Sequence, residues 1–181
     1  MLISVDGPIG AGKSTLVHQL GKCFTVFEEP IKKWTLLEDF ARQPSVHAFA
    51  LQVEILISYY NMLKKISKED IVIMERSAWS SNKVFFDMYI DCPEKRNVYD
   101  CMYNIYASEP DAILFLDIDE ETSWKRVKQR GRAEESSYTE NHVKNVVKKY
   151  KGVMKETTIP VYTLHDQHSL FNSAMSVIDG I

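Results

Sequence analysis

Gly7-Pro8-Ile9-Gly10-Ala11-Gly12-Lys13-Ser14-Thr15 follows a short apolar run, Leu2-Ile3-Ser4-Val5, and precedes a helical pattern. Glycines at this spacing let successive backbone N–H groups turn inward on phosphate oxygens. The helix starting behind them adds the positive end of its dipole. Lys13 supplies a mobile cation for β- and γ-phosphates, and Ser14 a hydroxyl for Mg²⁺. This segment reads as a loop that binds ATP or a related triphosphate, with Gly7, Gly10, Ala11, Gly12, Lys13, Ser14 and Thr15 on the phosphates. Two more clusters can join that chemistry, Glu28-Glu29-Pro30 and Glu75-Arg76-Ser77. A carboxylate near the γ-phosphate can take a proton from an attacking hydroxyl or hold Mg²⁺, and two of them allow one of each role. Arg76 adds a planar cation suited to a phosphate or a developing alkoxide.

A third cluster is Lys125-Arg126-Val127-Lys128-Gln129-Arg130-Gly131-Arg132. Arg126 and Arg130 are four apart and share a helical face. Gly131 lets the chain turn so that Arg132 converges with them. Guanidiniums closing over phosphates stabilise the charge of the transferring group, which makes the segment from about 126 to 138 an arginine-rich lid. The later run Lys144–Lys151 reads as a solvated face and carries no site.

To bring these clusters together the chain needs a scaffold, and the pattern provides one. Strand-like runs at Leu2–Asp6, Thr25–Glu28, Ile71–Glu75, Ala112–Asp117 and Val161–Leu164 alternate with helical periodicity. The helices are expected at Lys13–Lys22, Thr35–Arg42, Val46–Ser67, Ser80–Tyr89, Glu94–Ala107, Glu120–Arg130, Glu140–Glu156 and His168–Ile178. That alternation predicts an α/β fold, a five-stranded parallel sheet with helices on both faces. In such sheets ligands sit beyond the carboxyl ends of the strands, where all three clusters fall. The 181 residues suit one domain. A net charge of −3 argues against a nucleic-acid polymer or a membrane surface as partner. Three cysteines without CxxC spacing argue against a disulfide frame or a zinc site. No apolar run is long enough to span a bilayer. The strand at the second residue leaves no room for a leader, so a cytoplasmic location is expected, the host's if the source is viral.

In order along the chain, Gly7–Thr15, Glu29-Pro30 with Trp34, Phe49-Ala50-Leu51-Gln52, Glu75-Arg76-Ser77, and Arg126, Arg130-Gly131-Arg132 with Glu134-Glu135 resemble the deoxyribonucleoside kinase family. The resemblance implies the P-loop kinase fold and transfer of a phosphoryl group to the 5′-hydroxyl of a deoxyribonucleoside, in deoxynucleotide salvage. It implies that Glu29 is the general base, that Arg76 positions the attacking oxygen, and that Ser14 and Glu75 stand on the Mg²⁺ side. Gln52 resembles the glutamine that reads the base edge. Trp34, Leu37, Phe40 and Phe85 resemble the walls of the base slot, and Glu135 the glutamate on the sugar's 3′-hydroxyl. Asp166 falls where the family's adenine-contacting loop lies. Homodimers are usual among similar enzymes.

Tyr59 and Ser81 match the positions of an Arg–Asp pair that deoxycytidine and deoxyguanosine kinases carry behind the base. The small Ser81 resembles thymidine-accepting members, which favours a pyrimidine, thymidine ahead of deoxycytidine. Two positions depart from the family: Ala41 stands where a tyrosine shares the 3′-hydroxyl, and Asn82 where an arginine is usual. A thymidylate kinase is the nearest rival, but Glu29 would repel an acceptor phosphate. A GTPase-like switch is a weaker one, since Asn82-Lys83-Val84-Phe85 lacks the aspartate that reads guanine.

Overall fold

The computed structural model describes residues 1–64, 66, 71–132, 135–165 and 170–181. Five strands form one parallel sheet in the order β2-β3-β1-β4-β5: β1 Leu2–Asp6, β2 Thr25–Phe27, β3 Val72–Glu75, β4 Ala112–Leu116 and β5 Val161–Leu164. Every residue of β3 and β4 is buried, as expected of central strands covered on both faces. The edge strands β2 and β5 are partly exposed and correspondingly less apolar.

One face of the sheet is covered by α1 (Lys13–Leu20) and α9 (Leu170–Ile178), whose Leu16, Leu20, Ala174 and Ile178 pack on Ile3 and Val5. The other face is shared. On the β3 side, α3 (Pro44–Leu63) and α6 (Pro93–Tyr106) bring Leu56, Tyr59 and Tyr99 against Val72 and Met74. On the β4 side, α7 (Glu120–Arg130) and α8 (Glu140–Glu156) bring Val127, Val146 and Tyr150 against Ile113 and Phe115. The α/β architecture anticipated from the alternation is therefore present.

Several boundaries differ from the sequence pattern by one or two residues, and three of the differences have a clear local reason. Helix α3 starts at Pro44 rather than Val46, because proline fits the first helical position, where no N–H is needed. Helix α2 (Leu37–Arg42) starts two residues late. The Glu54 carboxylate of α3 accepts from Thr35 N–H and Oγ1 at 2.9 Å each and from Leu36 N–H at 3.3 Å, holding both residues outside the helix. The stretch expected as one helix over Ser80–Tyr89 is α4 (Ala78–Ser80), a π-helical segment Ser81–Phe86, and α5 (Asp87–Tyr89). Ser77 and Ser80 open it with reciprocal capping bonds. The expected starts and ends at Ser67 and His168 lie outside the described residues.

Candidate active site

The loop after β1 is shaped by backbone that only glycine tolerates. A Cβ on Gly7 (φ +153°) would stand 2.7 Å from the Leu116 carbonyl oxygen, and one on Gly10 (φ +79°) 3.1 Å from Arg126 Cβ and from Ser123 O. The loop is thus pressed against the end of β4 and the face of α7. Gly7 and Ala11 build it from behind: Gly7 O accepts from Lys13 Nζ at 3.0 Å, and Ala11 N–H donates to Pro8 O at 3.2 Å. Gly10, Gly12, Lys13, Ser14 and Thr15 line the cleft itself. Gly12 provides no side-chain cap, so the first-turn N–H groups of α1 are left for an anion.

Lys13 is buried, its ammonium held by the Gly7 and Pro8 carbonyls at 3.0 and 2.9 Å. Burial, reinforced by the positive charge of Arg76, pulls its pKa down to about 7. Ser14 Oγ donates to Glu75 Oε1 at 2.8 Å, bringing α1 and the end of β3 together. A hydroxyl beside a carboxylate is a hard-oxygen pair of the kind that holds Mg²⁺ together with phosphates. Among the described residues no group of three or more histidines, cysteines or acids could hold a metal by itself. The residues present therefore suit ATP and Mg²⁺.

Across the cleft from the loop, Glu29 Oε2 pairs with Arg76 Nη1 at 2.5 Å, both side chains about nine-tenths buried. Arg76 Nε donates to the Tyr150 hydroxyl at 2.9 Å, and the ring of Phe85 lies 5.3 Å from its guanidinium carbon. Its backbone sits at φ +60°, a left-handed conformation held by its N–H on Val5 O at 3.0 Å. Strain of this kind typically costs about 1–3 kcal/mol and gathers at functional sites. The Glu29 backbone N–H reaches Glu75 Oε2 at 3.5 Å, so the ends of β2 and β3 are tied together. Burial raises the Glu29 carboxyl above the usual glutamate range; Arg76 opposes the rise and Glu75 adds to it. Asp6, fully buried at the end of β1, is also raised by burial, in spite of the Ser4 and Ser80 hydroxyls.

Beyond the ion pair the cleft, about 300 Å³ in all, becomes an apolar slot. Trp34, Leu37, Phe40 and Phe85 all line it. Trp34 is held by Nε1–H on Ser58 Oγ at 3.0 Å, and Phe40 by edge contact with Tyr89 at a centroid distance of 5.0 Å. On its polar side Ser81 Oγ donates to Gln52 Oε1 at 2.7 Å, both buried. Ser81 and Phe85, four apart in the π segment, both face the slot, while Val84 and Phe86 enter the core.

Tyr59 is a correction to the sequence reading. It is 1% exposed, edge-on to Trp34 at 6.3 Å, and stands behind the cleft wall rather than on it. The helical period that puts Gln52 and Ile55 on the cleft places Tyr59 one turn deeper, in the core.

Arg126, Arg130, Arg132 and Glu135 line the opposite rim. Arg126 Nη1 donates to Gly10 O at 3.1 Å, and Arg130 pairs with Glu135. Gly131 (φ +59°) ends α7 in the left-handed conformation that turns the chain into the lid. Ser137 Oγ donates to Ala41 O at 2.8 Å, tying the lid to α2. Glu134 and Asp166 lie outside the described residues.

Three contributors escaped the sequence reading. Tyr150 orients Arg76 but lies in the lysine-rich run read as a solvated face. Tyr138 lines the cleft from the lid. Arg96 answers the missing arginine at Asn82: its Nη1 donates to Asn82 Oδ1 at 2.8 Å while it pairs with Asp87 and stacks on Phe86. The brace thus comes from α6. The apolar period of α8 was the only signal for Tyr150.

A family model described as deoxynucleoside kinase matches residues 3–179. Among curated proteins, the chain is 30% identical over 168 residues to the deoxyguanosine kinase of Lactobacillus johnsonii, covering 83% of this chain and 75% of that one. It is 29% identical over 177 residues to the deoxyadenosine kinase of Dictyostelium discoideum, covering 90% and 71%. Among solved structures, deoxyadenosine kinase from M. mycoides superposes with a TM-score of 0.87 at 23% identity over 100% of both chains, a likeness of fold. With the phosphate loop, the buried acid and the arginine rim all inside the matched span, the chain belongs to the deoxynucleoside kinase family and is an enzyme that phosphorylates deoxynucleosides.

Proposed function

We propose that the chain transfers the γ-phosphoryl group of ATP to the 5′-hydroxyl of a deoxyribonucleoside whose base lies in the slot between Trp34 and Phe85. The observation that carries this reading is the buried Glu29–Arg76 pair, set between the phosphate loop and the apolar slot. Glu29 accepts the 5′-hydroxyl proton; its raised pKa brings it closer to the working pH, where a general base is most effective. Arg76, fixed by Tyr150, keeps Glu29 in place and offers positive charge to the attacking oxygen. Magnesium-bound ATP supplies the phosphoryl group and part of the charge neutralisation. Lys13 and the first-turn N–H groups of α1 bind the phosphates, Ser14 and Glu75 hold the ion, and Arg126, Arg130 and Arg132 take up charge from the other side. The chemistry is positioning and electrostatics in a water-poor cleft.

Gln52 reads the base edge. A glutamine amide can serve either an amino or an oxo edge, depending on which way it is turned. Ser81 follows either orientation, because a hydroxyl both donates and accepts. The small side chain at Ser81 favours a pyrimidine, thymidine ahead of deoxycytidine. The deoxyguanosine and deoxyadenosine kinases among the relatives favour a purine as the second reading. Transfer from radiolabelled ATP to each of the four deoxynucleosides and to thymidylate tests all of this. Transfer to a deoxynucleoside but not to thymidylate is expected. Transfer to thymidylate alone would refute the role of Glu29, whose charge repels an acceptor phosphate.

We assign this activity to deoxynucleotide salvage in the cytoplasm. Among the described residues no helix is long and apolar enough to cross a membrane. The homodimer reading is supported by Val98 and Ile105, 53% and 69% exposed on α6. Sedimentation as a species of twice the chain mass is the expected result.

A further inference from the structure

The two walls of the apolar slot are held in different ways. Phe85 belongs to the capped turn and π segment behind β3; its ring meets that of Tyr150 at 6.1 Å and lies beside the Arg76 guanidinium. Trp34 and Leu37 belong instead to a strap, residues 30–36 running into α2, that begins just behind Glu29. Inside the strap the backbone bonds are short-range: Ile31 N–H to Glu29 O at 2.9 Å, Lys33 N–H to Pro30 O at 2.8 Å, and Trp34 N–H to Ile31 O at 3.1 Å. Bonds of this kind curl a segment without attaching it to the rest of the fold.

The attachment comes from α3. Glu54 and Ser58 stand four apart and so share one face of that helix. One Glu54 oxygen accepts from Thr35 N–H and Oγ1 at 2.9 Å each, and the other from Leu36 N–H at 3.3 Å. Ser58 Oγ donates to Ile55 O at 2.7 Å, which commits its hydrogen and leaves its lone pairs for the Trp34 indole N–H at 3.0 Å. Among the described residues these are the strap's only hydrogen bonds to an element other than α2. A neighbouring face of α3 carries Leu51, Gln52 and Ile55 into the cleft, so the slot floor and the strap are referred to one rigid helix. Glu54, Thr35 and Leu36 do not line the cleft themselves.

We infer that Glu54 is a positioning residue for nucleoside binding: with Ser58 one turn on, it pins the strap to α3 and so sets the spacing between the Trp34 wall and the Phe85 wall. This rests on the reading of the cleft as a deoxynucleoside site. Walls already held in the bound arrangement spare the ligand the cost of ordering them, so loss of the pin weakens nucleoside binding. Glu29, at the other end of the strap, is held separately, its carboxylate by Arg76 and its backbone N–H by Glu75. The chemical step and ATP binding are therefore spared.

The test compares wild type, Glu54→Ala and Glu54→Gln by kcat, by KM for ATP and for the preferred deoxynucleoside, and by calorimetric Kd for that nucleoside. Alanine removes every acceptor contact, whereas glutamine keeps one oxygen, enough for Thr35 but not for Leu36. The expected result for alanine is a rise of roughly tenfold in nucleoside KM and Kd, the worth of one charge-assisted hydrogen bond, with kcat and KM for ATP unchanged. Glutamine should give a smaller rise with the same split. An unchanged nucleoside KM, whatever the melting temperature, would overturn the inference. So would a fall in kcat or a rise in KM for ATP as large as the nucleoside effect, since that marks a general loss of structure. Should the alanine variant not fold, glutamine decides by the same split. In all of these outcomes wild type still phosphorylates the deoxynucleoside, so the reading of the cleft survives; a wild type that neither binds nor phosphorylates one removes both.

Discussion

Replacing Glu29 by glutamine separates its part in the reaction from its part in the fold. Glutamine keeps the shape and an oxygen for Arg76 but cannot accept the 5′-hydroxyl proton. Loss of a positioned general base costs about 10²–10⁴ in rate, and turnover should fall by that much. The structural penalty is smaller. Removing one partner of a buried ion pair outright costs about 3–5 kcal/mol. Here Arg76 keeps the amide oxygen and the Tyr150 hydroxyl, and the desolvation that raises the Glu29 pKa is relieved. About 1–2 kcal/mol is then left, which lowers the melting temperature by roughly 2–8 °C for a chain of this size. Against an ordinary stability of about 5–15 kcal/mol, the variant stays more than about 99% folded at 20 °C, so unfolding cannot imitate the rate loss. The assay is turnover at 20 °C with saturating ATP and deoxynucleoside, beside a thermal melt. Wild type carries a second signature. Glu29 works only when ionised and its pKa is raised, so the acid limb of the kcat profile lies above pH 4.5, the ordinary glutamate value, and disappears in the variant. Turnover within tenfold of wild type, or an unchanged acid limb, would refute the assignment.

Three further outcomes follow from the same geometry. Tyr150→Phe strips the acceptor from the buried Arg76 Nε–H; it should cost about 1–3 kcal/mol in urea unfolding and lower kcat while KM for ATP holds. Gly7→Ala drives a Cβ to 2.7 Å from the Leu116 carbonyl and should abolish calorimetric ATP binding, whereas Gly131→Ala, in open space at φ +59°, should cost only about 1 kcal/mol of strain and keep binding. The raised Asp6 pKa means that its favourable contribution is complete below 3.8 and is lost as pH rises through the folded value. Asp6→Asn should therefore melt above wild type at pH 8, with the gap shrinking toward pH 4; a gap that does not change with pH would refute the sign.

What could be read from the chain in advance was local or periodic. The phosphate loop is local, because strand, glycines, lysine and helix follow one another without a break. The buried strands β3 and β4 announce themselves as apolar runs. The acid and arginine clusters could be placed at strand ends because parallel sheets put ligands there. What escaped was partnership across sequence distance. Arg76 and Tyr150 are 74 residues apart, and the lysines around Tyr150 masked a face whose Val143, Val146 and Val147 are fully buried. The π segment was illegible for another reason. It shifts the hydrogen-bond register by one residue, which barely alters a 3.6-residue apolar period, yet it decides that Ser81 and Phe85 both face the slot. Tyr59 was misplaced for the converse reason: matching a position in the family says nothing about whether a tyrosine there packs inward.

The charged residues around the loop explain why the chain keeps a costly arrangement. Asp6, Lys13, Glu29, Glu75 and Arg76 meet in one mostly water-poor region, where an ionised group taken alone would be prohibitive. Glu29 and Arg76 neutralise each other, Ser14 serves Glu75, and Lys13 is left with two carbonyls and a pKa near 7. Lys13 is thus the group whose environment improves most when triphosphate charge arrives: its ammonium gains anionic partners and its pKa must rise. Nucleotide binding near pH 8 should therefore take up protons, seen as a dependence of the calorimetric enthalpy on the ionisation enthalpy of the buffer. In Lys13→Met that dependence should vanish along with most of the affinity. Buffer-independent enthalpy in wild type would mean that Lys13 is already fully charged before the nucleotide binds.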